Sequence, residues 1–524
     1  MLESLSNFLA GPHAKIIFTA LKVAILALFA FVLAAHLAVP ALKKGTSGYR
    51  LLRILFFLAF AAVLVHQAYW QLYGFRNPDF IFFVRHHNRR PQAVDILTRR
   101  GPILDRNGLV LAAPPANDVW GRRYPLGEAG VHPIGYYHRK YGITAVERIK
   151  DPLLSGCAIE KEGKSHPLKI LAPRSREGQT VSLTLESGLQ RFAYQALEGK
   201  KGAVIVMDPR NGELFALVSA PGFNPLSPET ALFDSQNKPA FNRAVQGQYP
   251  PGSTFKLLIA GMAIDMGKMP VLNCPAEGYR SAPHTPPIRD SEYYSAKRRG
   301  GSWNGWGNMG LRMAIVHSSN VYFSQLGVLC GVEAFNAMIE RAKINDQLLY
   351  MTGEKGNLLS ARGSVPIVTR KATLAQPAIG QGKVLVTPLH VACYTAAIAA
   401  DGKMPLPRLG LSGEREPPIR LFSPRSASFI RSAMRETVRC GTGRGADIPG
   451  LEVCGKTGTA QVPTGKDHAW FTCFAPEDDP RLVVTVLVEH GGFGARAAVP
   501  VARRILLEAQ KLGVFKGKTG GRRG

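Results

Sequence analysis

Three short motifs in the C-terminal part of the chain carry the residue types that acyl transfer needs. Ser253 and Lys256 stand three residues apart at the start of an apolar run, so on a helix they would share one face. Serine alone is a weak nucleophile and needs an adjacent base, and a lysine can serve when burial and neighbouring cations lower its pKa. A serine at a helix N-terminus also lies near backbone N–H groups that favour a developing anion. We therefore interpret Ser253 as a candidate nucleophile and Lys256 as its candidate base.

A second polar cluster, Ser318-Ser319-Asn320, follows the helical pattern LRMAIVH. A hydroxyl and an amide two residues apart can point into one cleft, where the hydroxyl would relay a proton and the amide would hold a substrate amide. The alternative is an ordinary helix or turn end that is capped by polar side chains.

The third motif is Lys456-Thr457-Gly458-Thr459, which follows strand-like residues. Its lysine would add positive potential for a substrate carboxylate. Its glycine would let a substrate backbone approach closely.

The third motif also completes the phosphate-binding pattern GxxxxGK[ST], which begins at Gly450 and would imply a nucleotide hydrolase. That pattern needs a strand before the loop and a helix after it. Here a loop precedes the motif, its spacer is bulky, and Pro463 and Gly465 would interrupt a following helix. We therefore reject the nucleotide-binding interpretation.

None of the three motifs is specific by itself. Ser235 and Lys238 repeat the serine–lysine spacing in a polar stretch, and residues 518–520 repeat the Lys-Thr-Gly triplet in the tail. An isolated serine–lysine pair is usually a solvated surface pair. The three motifs together, in this order and on fitting elements, indicate a serine acyl-transfer site.

The elements that must position these motifs mix helices with hairpin-connected strands. Residues 202–219 form two apolar runs around a Pro/Asn/Gly turn, and the runs AWFTCFA and LVVTVLVEH are separated by PEDDPR. Helical patterns begin at Ser253, extend over 311–328 and cover 497–512. This mixture predicts an α/β or α+β domain with a largely antiparallel sheet.

Two apolar runs near the N-terminus, at about 16–42 and 51–73, are candidate transmembrane helices, since about 20 apolar residues span a bilayer. A cleaved signal peptide is the alternative for the first run. Basic residues in the connector (Lys43, Lys44, Arg50 and Arg53) favour a cytoplasmic hairpin, with everything after residue 74 outside. Arginines that follow the second run argue the other way, but long domains translocate despite such charge.

Length and composition limit the remaining organisation. The chain has 524 residues, so we expect more than one domain: an anchor (1–74), a pedestal (75–198), a catalytic domain (199–512) and a basic disordered tail (513–524). The formal net charge of +28 fits anionic lipid, a polyanionic envelope, nucleic acid, or a solvated basic surface with no partner. Seven scattered cysteines show no metal-binding spacing, and Cys440 and Cys454 could pair in an oxidising compartment.

The blocks around the motifs resemble the monofunctional (class B) penicillin-binding proteins. The similar segments are NRAVQGQYPPGSTFK, SSNVYFSQLG, AIGQGKVLVTPLHVA, GKTGTAQ and HAWFTCFAP, with RRGPILDRNGLVLA upstream. The segment HPIGYYHRKYGITAVERIKDPLLSG is similar to short-pedestal members of that family. The likeness runs from about residue 98 to 510.

The resemblance implies the serine-transpeptidase fold: a five-stranded antiparallel sheet flanked by helices, plus an all-α lobe, after a small pedestal and an N-terminal membrane anchor. It implies a peptidoglycan D,D-transpeptidase on the outer side of the cytoplasmic membrane, with no cofactor. Ser253 would attack the D-Ala–D-Ala carbonyl of a stem peptide, Lys256 would take its proton, and β-lactams would acylate the same serine.

The resemblance also implies the roles of the other motif residues. Ser318, with Lys456 nearby, would pass the proton to the departing D-Ala, and Asn320 would hold the substrate amide. Thr457 and Thr459 would bind its carboxylate, and the oxyanion would lie between the backbone N–H groups of the nucleophile and Thr459.

The implied partners are donor and acceptor stem peptides, β-lactams, a membrane glycosyltransferase and inner-membrane lipid, with no nucleic acid. The alternative function is a tethered sensor or scaffold that binds β-lactams or wall fragments without turnover. A class D β-lactamase would carry a hydrophobic residue in place of Asn320 and would lack the stalk. Residues 75–200 are too few for the glycosyltransferase domain of bifunctional members. The chain departs from the family in having two candidate spans and a short pedestal.

Overall fold

The computed structural model describes residues 47–72, 98–115, 121–156, 176–413 and 415–515. The chain divides into two compact units, residues 1–88 and 89–524. In the first unit the described element is one helix, Ser47–Leu72 (α1), which covers most of the second apolar run. The first run, at 16–42, lies outside the described residues. No helix in the described part of the chain combines the length and apolarity that a membrane crossing requires.

Short strands and helices build the pedestal at the start of the second unit. Its strands are Thr98–Arg99 (β1), Ile103–Leu104 (β2), Val110–Ala112 (β3), Tyr137–His138 (β4), Gly142–Ile143 (β5), Arg176–Glu177 (β6) and Val181–Ser182 (β7). Its helices are Val131–Ile134 (α2), Ala145–Ile149 (α3) and Asp151–Leu154 (α4). Strand β2 pairs antiparallel with β3 and parallel with β7, and β1 pairs parallel with β6.

A buried cluster of charged side chains ties the pedestal together. Glu147 is fully buried and accepts hydrogen bonds from Arg100 at 2.8 Å and from Arg122 at 2.7 Å. Arg100 also donates to Asp151 at 2.6 Å, and Lys355, from a hairpin of the following domain, donates to the same carboxylate at 2.6 Å. Burial alone would raise the pKa of Glu147, but the two arginines outweigh it and lower that pKa. Because each buried charge has an opposite partner, the cluster joins pedestal and catalytic domain without an isolated buried ion.

A five-stranded sheet forms the centre of the catalytic domain and confirms the predicted fold. Its strands are Gly202–Met207 (β8), Leu214–Ala220 (β9), Cys454–Ala460 (β16), His468–Ala475 (β17) and Leu482–Val488 (β18), in the order β16-β17-β18-β8-β9. All neighbours are antiparallel, and both predicted hairpins are present. Strand β16 stands at the edge of the sheet, so one side of its backbone pairs with no other strand of the described residues.

Both faces of the sheet are covered, which explains the continuous apolar runs of its strands. Along β8, Ala203 and Ile205 enter one core cluster, whereas Val204 and Val206 enter the other, as the period of two requires. The second cluster is covered by helices Ser187–Ala196 (α5) and Gly494–Lys511 (α14). Helix α5 precedes the domain start predicted at residue 199 and nevertheless packs on the sheet.

The short helix Glu229–Phe233 (α6) carries Ala231, which is buried in a small cluster with Val131 and Tyr136 of the pedestal. The other helices form a lobe against the other face of the sheet. They are Lys256–Asp265 (α7), Ser291–Arg298 (α8), Leu311–His317 (α9), Asn320–Cys330 (α10), Val332–Arg341 (α11), Pro388–Ala399 (α12) and Pro424–Arg439 (α13). Helix α7 is buried from Lys256 to Ile264 and is surrounded by α9, α10, α11 and α13. Helix α12 is buried along its whole length and packs between α13 and the strands β8, β17 and β18.

In the described residues after the pedestal, three two-stranded antiparallel sheets lie outside the central sheet. They are formed by Leu272–Cys274 (β10) with Gly307–Met309 (β11), Leu349–Gly353 (β12) with Gly356–Leu359 (β13), and Lys403–Met404 (β14) with Ile419–Arg420 (β15).

Candidate active site

Ser253 lies in a single 3-10 turn, Gly252–Thr254, directly before α7. The α-helix itself begins at Lys256 rather than at the serine, which corrects the predicted helix start. The turn is fixed on both sides, because Thr254 Oγ1 donates to Pro251 O at 2.9 Å and accepts from Tyr394 Oη at 3.0 Å. The half-buried Ser253 thus stands on a rigid turn, as a nucleophile must.

Lys256 is fully buried behind the nucleophile turn and faces the second motif. Its Nζ donates to Ser318 O at 2.6 Å and to Asn320 Oδ1 at 2.7 Å, and it lies 3.4 Å from Ser318 Oγ. Burial lowers the pKa of Lys256 to about 7, although Asp290 and Glu292 act in the opposite direction. At neutral pH a large fraction of this amine is therefore unprotonated and able to accept a proton.

Ser318 interrupts the helix that the sequence predicted over residues 311–328. It adopts the left-handed conformation (φ 61°, ψ 37°) between α9 and α10, so that prediction was wrong in showing one helix instead of two. Ser319 caps α10 by accepting from Tyr322 N at 3.1 Å. A non-glycine residue in this conformation costs about 1–3 kcal/mol and persists only where its surroundings hold it. The break turns the Ser318 hydroxyl and the Asn320 amide towards Lys256.

Lys456 reaches the same hydroxyl from strand β16. Its Nζ donates to Ser318 Oγ at 2.6 Å and to Thr457 O at 3.1 Å. The side chain is fully buried, and burial together with the nearby Lys256 ammonium holds the pKa of Lys456 well below its usual value. Two lysines from different elements thus converge on one serine hydroxyl.

Gly458 lies against the nucleophile turn, where a larger residue would not fit. A Cβ atom at this position would lie 2.9 Å from Trp470 Cβ, 3.0 Å from Thr254 Cγ2 and 3.2 Å from Pro251 O. The sequence predicted that this glycine admits a substrate backbone. The structure shows that it also lets strand β16 lie against the turn that carries Ser253.

A cleft of about 400 Å³ opens between the strand and the helical lobe. Ser253, Ser318, Asn320, Thr457 and Thr459 line it together, whereas both lysines lie behind its wall. Of the eight residues predicted for the site, seven therefore lie in the cleft or behind its wall, and Gly458 lies against the nucleophile turn.

The structure adds two residues that the motifs did not indicate. Thr442, in the Gly-rich loop after α13, lines the cleft and is hydrogen-bonded to Thr457 through their hydroxyls at 2.6 Å. Asp290, the residue before α8, accepts hydrogen bonds from the start of α10. Motif spacing could not indicate either residue, because both are distant from the motifs in sequence and reach the site only when the chain folds. The one local signal for Asp290 is its position just before a helix.

The remaining candidates fall away from the cleft. Ser235 lies exposed in the loop after α6, and residues 518–520 lie outside the described part of the chain. Lys456 stands within a strand, with a further strand rather than a helix next along the chain, which excludes the phosphate-binding loop. Cys440 and Cys454 are both free thiols. Among the described residues, no group of three or more His, Cys, Asp or Glu side chains could hold a metal ion.

Comparison with known proteins agrees with this geometry. Residues 202–507 match the family model for the penicillin binding protein transpeptidase domain. The chain is 30% identical over 456 residues to the peptidoglycan D,D-transpeptidase MrdA of Acinetobacter baumannii, covering 74% of this chain and 66% of that protein. It is also 30% identical over 458 residues to the peptidoglycan D,D-transpeptidase PbpA of Mycobacterium tuberculosis, covering 80% and 90% of the two chains.

A solved structure shows the same fold. Penicillin-binding protein A from M. tuberculosis, as a ceftriaxone acyl-enzyme complex, superimposes with a TM-score of 0.69 and 28% sequence identity, covering 79% of this chain and 99% of that one. The matched family model, the relatives and the shared arrangement of cleft and motifs show that the chain belongs to the penicillin-binding protein transpeptidases, in the monofunctional class B.

Proposed function

We propose that this protein is a peptidoglycan D,D-transpeptidase that cross-links stem peptides through an acyl-enzyme on Ser253. One observation carries the proposal: the Ser318 hydroxyl lies 2.6 Å from Lys456 Nζ and 3.4 Å from Lys256 Nζ, in the wall of the cleft that Ser253 also lines. This arrangement provides a nucleophile, a base and a proton relay side by side.

Acylation begins when a neutral Lys256 accepts the Ser253 proton as Oγ attacks the penultimate D-Ala carbonyl. A neutral amine has two N–H groups, and two carbonyl oxygens, Ser318 O and Asn320 Oδ1, are placed to accept both. Its lone pair is then left for the incoming proton. Protonation of Lys256 would occupy the lone pair and stop the step.

The tetrahedral oxyanion lies between the backbone N–H groups of Ser253 and Thr459, as in the family. Strand β16 is an edge strand and packs on the nucleophile turn, so its free backbone groups can pair with an extended substrate. Thr457 and Thr459, in the same cleft, bind the terminal carboxylate, and Asn320 holds the substrate amide.

Collapse of the intermediate releases D-Ala, and its amine must gain a proton. Ser318 donates its hydroxyl proton to this amine and regains one from Lys256, which took it from the nucleophile. One proton thus passes from Ser253 to the leaving group, and the charge of Lys456 does not change. An amine of a second stem peptide then attacks the ester and restores the free serine.

β-Lactams are expected to acylate the same serine. The amine released when their ring opens stays attached to the acyl group, so it remains in the cleft where the acceptor amine would enter. The acyl-enzyme should therefore accumulate, and the similar M. tuberculosis protein has been solved as such a complex with ceftriaxone.

Labelling with a fluorescent penicillin tests the nucleophile. We expect a labelled band for the wild type and for Ser235→Ala, which repeats the motif spacing in an exposed loop, and no band for Ser253→Ala. Labelling of a folded Ser253→Ala protein would contradict the assignment.

Release of D-Ala separates the enzyme from a scaffold that binds without turnover. With a donor stem peptide and an excess of acceptor amine, the transpeptidase forms a cross-linked product and one D-Ala per bond. A protein that is labelled by penicillin but forms no product would support the scaffold instead.

We propose further that the catalytic domain lies outside the cytoplasmic membrane, anchored by the apolar runs at 16–42 and 51–73 and assisted by a membrane glycosyltransferase. The length of the runs and the net charge of +28, which suits anionic lipid, support this location. Removing residues 1–74 should move the penicillin-labelled band from membranes to the soluble fraction. If salt alone washes the full-length protein from membranes, the proposed anchor is wrong. If the full-length protein captures no glycan-polymerising activity from membranes, the proposed partner is wrong.

A further inference from the structure

Asp290 is a buried carboxylate outside the three motifs that binds the helix carrying Ser318 and Asn320. The residue is 1% exposed and stands before α8. Its Oδ1 accepts hydrogen bonds from Asn320 N and, at 3.2 Å, from Val321 N, and its Oδ2 accepts from Ser319 Oγ at 2.9 Å. The carboxylate thus satisfies the first N–H groups of α10 from a different segment of the chain.

These contacts hold the strained turn in place. The neighbouring Arg289 O accepts from Asn320 Nδ2 at 2.9 Å, so two successive residues of one segment fix both the backbone and the side chain of Asn320. Ser318, in its left-handed conformation, directly precedes the residues that are held. Loss of these bonds would free the turn to rejoin α9 and α10 as one helix.

The same carboxylate also affects the charge of the site. Lys256 and Lys456 are both fully buried, and both meet Ser318 Oγ. The other charged groups whose fields reach Lys256 are Asp290 and the partly exposed Glu292. Two adjacent buried ammonium groups repel each other, so a single well-buried negative charge balances one proton on the pair but not two.

We propose that Asp290 is a positioning residue for the transpeptidase reaction, which fixes the Ser318–Asn320 turn and supplies the buried negative charge that keeps one proton on the Lys256–Lys456 pair. This inference rests on the proposed function. With one proton on the pair, one lysine is a neutral base while the other is an ammonium that polarises Ser318. Without Asp290 the pair takes up its second proton, which inactivates the base, only at a lower pH, because the only deeply buried counter-charge of the pair in the described structure is gone.

The test compares the pH dependence of penicillin acylation in the wild type, Asp290→Asn and Asp265→Asn. Asparagine keeps the shape of the side chain and one carbonyl oxygen for the α10 N–H groups, but it removes the charge. Asp265 is an exposed control carboxylate that also binds the start of a helix, since it accepts from Ser423 N at 3.2 Å and from Ser426 Oγ at the start of α13. It lies at the far end of α7, about 14 Å along the helix from Lys256.

The acid limb is the part of the pH profile in which the acylation rate rises as the lysine base loses its proton. We expect the midpoint of this limb to move to lower pH by about one unit in Asp290→Asn and to stay in place in Asp265→Asn. A purely structural role would lower the plateau rate and leave the position of the limb unchanged. An unshifted limb in a folded Asp290→Asn enzyme therefore overturns the inference.

If Asp290→Asn does not fold, a second variant tests the coupling of the two lysines on which the inference depends. Lys456→Met removes one cation, so Lys256 alone faces Asp290 and keeps its proton to higher pH. The limb of the residual acylation should then move upward, and an unchanged limb would overturn the inference. If the wild type itself is not acylated, the proposed function fails, an outcome distinct from either result for Asp290.

Discussion

The rate of acylation should follow the protonation of Lys256. An exposed lysine has a pKa of 10.5, whereas burial lowers that of Lys256 to about 7. At pH 7 the exposed amine would be neutral in about one molecule in 3,000, but the buried amine is neutral in about half. If the neutral amine is the base, lowering the pH from 7 to 5 reduces the neutral fraction, and with it the rate, about 50-fold.

The measurement is the second-order rate constant of penicillin acylation between pH 5 and 9, read by fluorescence after short exposures. The expected profile rises about tenfold per pH unit below 7 and becomes level above it. Lys256→Arg is the control, because arginine stays protonated throughout and should show a low rate without this rise. A wild-type midpoint near 10, or a rate that is independent of pH, would refute the assignment of Lys256 as a buried base.

Three further predictions concern the fold and the cleft. Glu147→Gln should lower the free energy of unfolding by about 3–5 kcal/mol, because it leaves two buried arginines without their shared carboxylate. In the same denaturant titration, the exposed control Glu198→Gln should change this free energy by less than about 0.5 kcal/mol. Burial lowers the pKa of His390 to about 4, so the folded state loses up to about 3 kcal/mol of stability as the pH falls from about 6.5 towards 4. Thermal melts over this pH range should show a smaller loss of stability for His390→Gln than for the wild type. Gly458→Ala should slow penicillin acylation about 100-fold, because the added methyl group pushes strand β16 away from the nucleophile turn. The melting temperature shows whether the fold is retained. An unchanged rate would contradict the close contact.

The catalytic motifs could be predicted from sequence because each is local. Ser253 and Lys256, or Ser318 and Asn320, stand within one helical turn of each other, so their spacing alone restricts their relative positions. The hairpins of the sheet were equally predictable, since two apolar runs around turn residues are also a short-range signal.

The position of the helix break at Ser318 was not predictable from the helical pattern. Local propensity favours one continuous helix over 311–328. The two helices observed depend on bonds from Asp290 and Arg289, about 30 residues earlier in the chain. A contact between distant segments can outweigh local propensity at little cost, because propensity differences amount to less than about 1 kcal/mol per residue.

The sequence by itself determined which groups are available for chemistry: a serine with a lysine one turn away, a hydroxyl with an amide, and a lysine on a strand. Only the tertiary structure decided what those groups can do. It buried both lysines and so lowered their pKa values, brought both to the hydroxyl of Ser318, and placed the Asp290 carboxylate on the helix that follows this serine. Reactivity depends on burial and on charges that lie distant in sequence, and both of these exist only once the chain has folded.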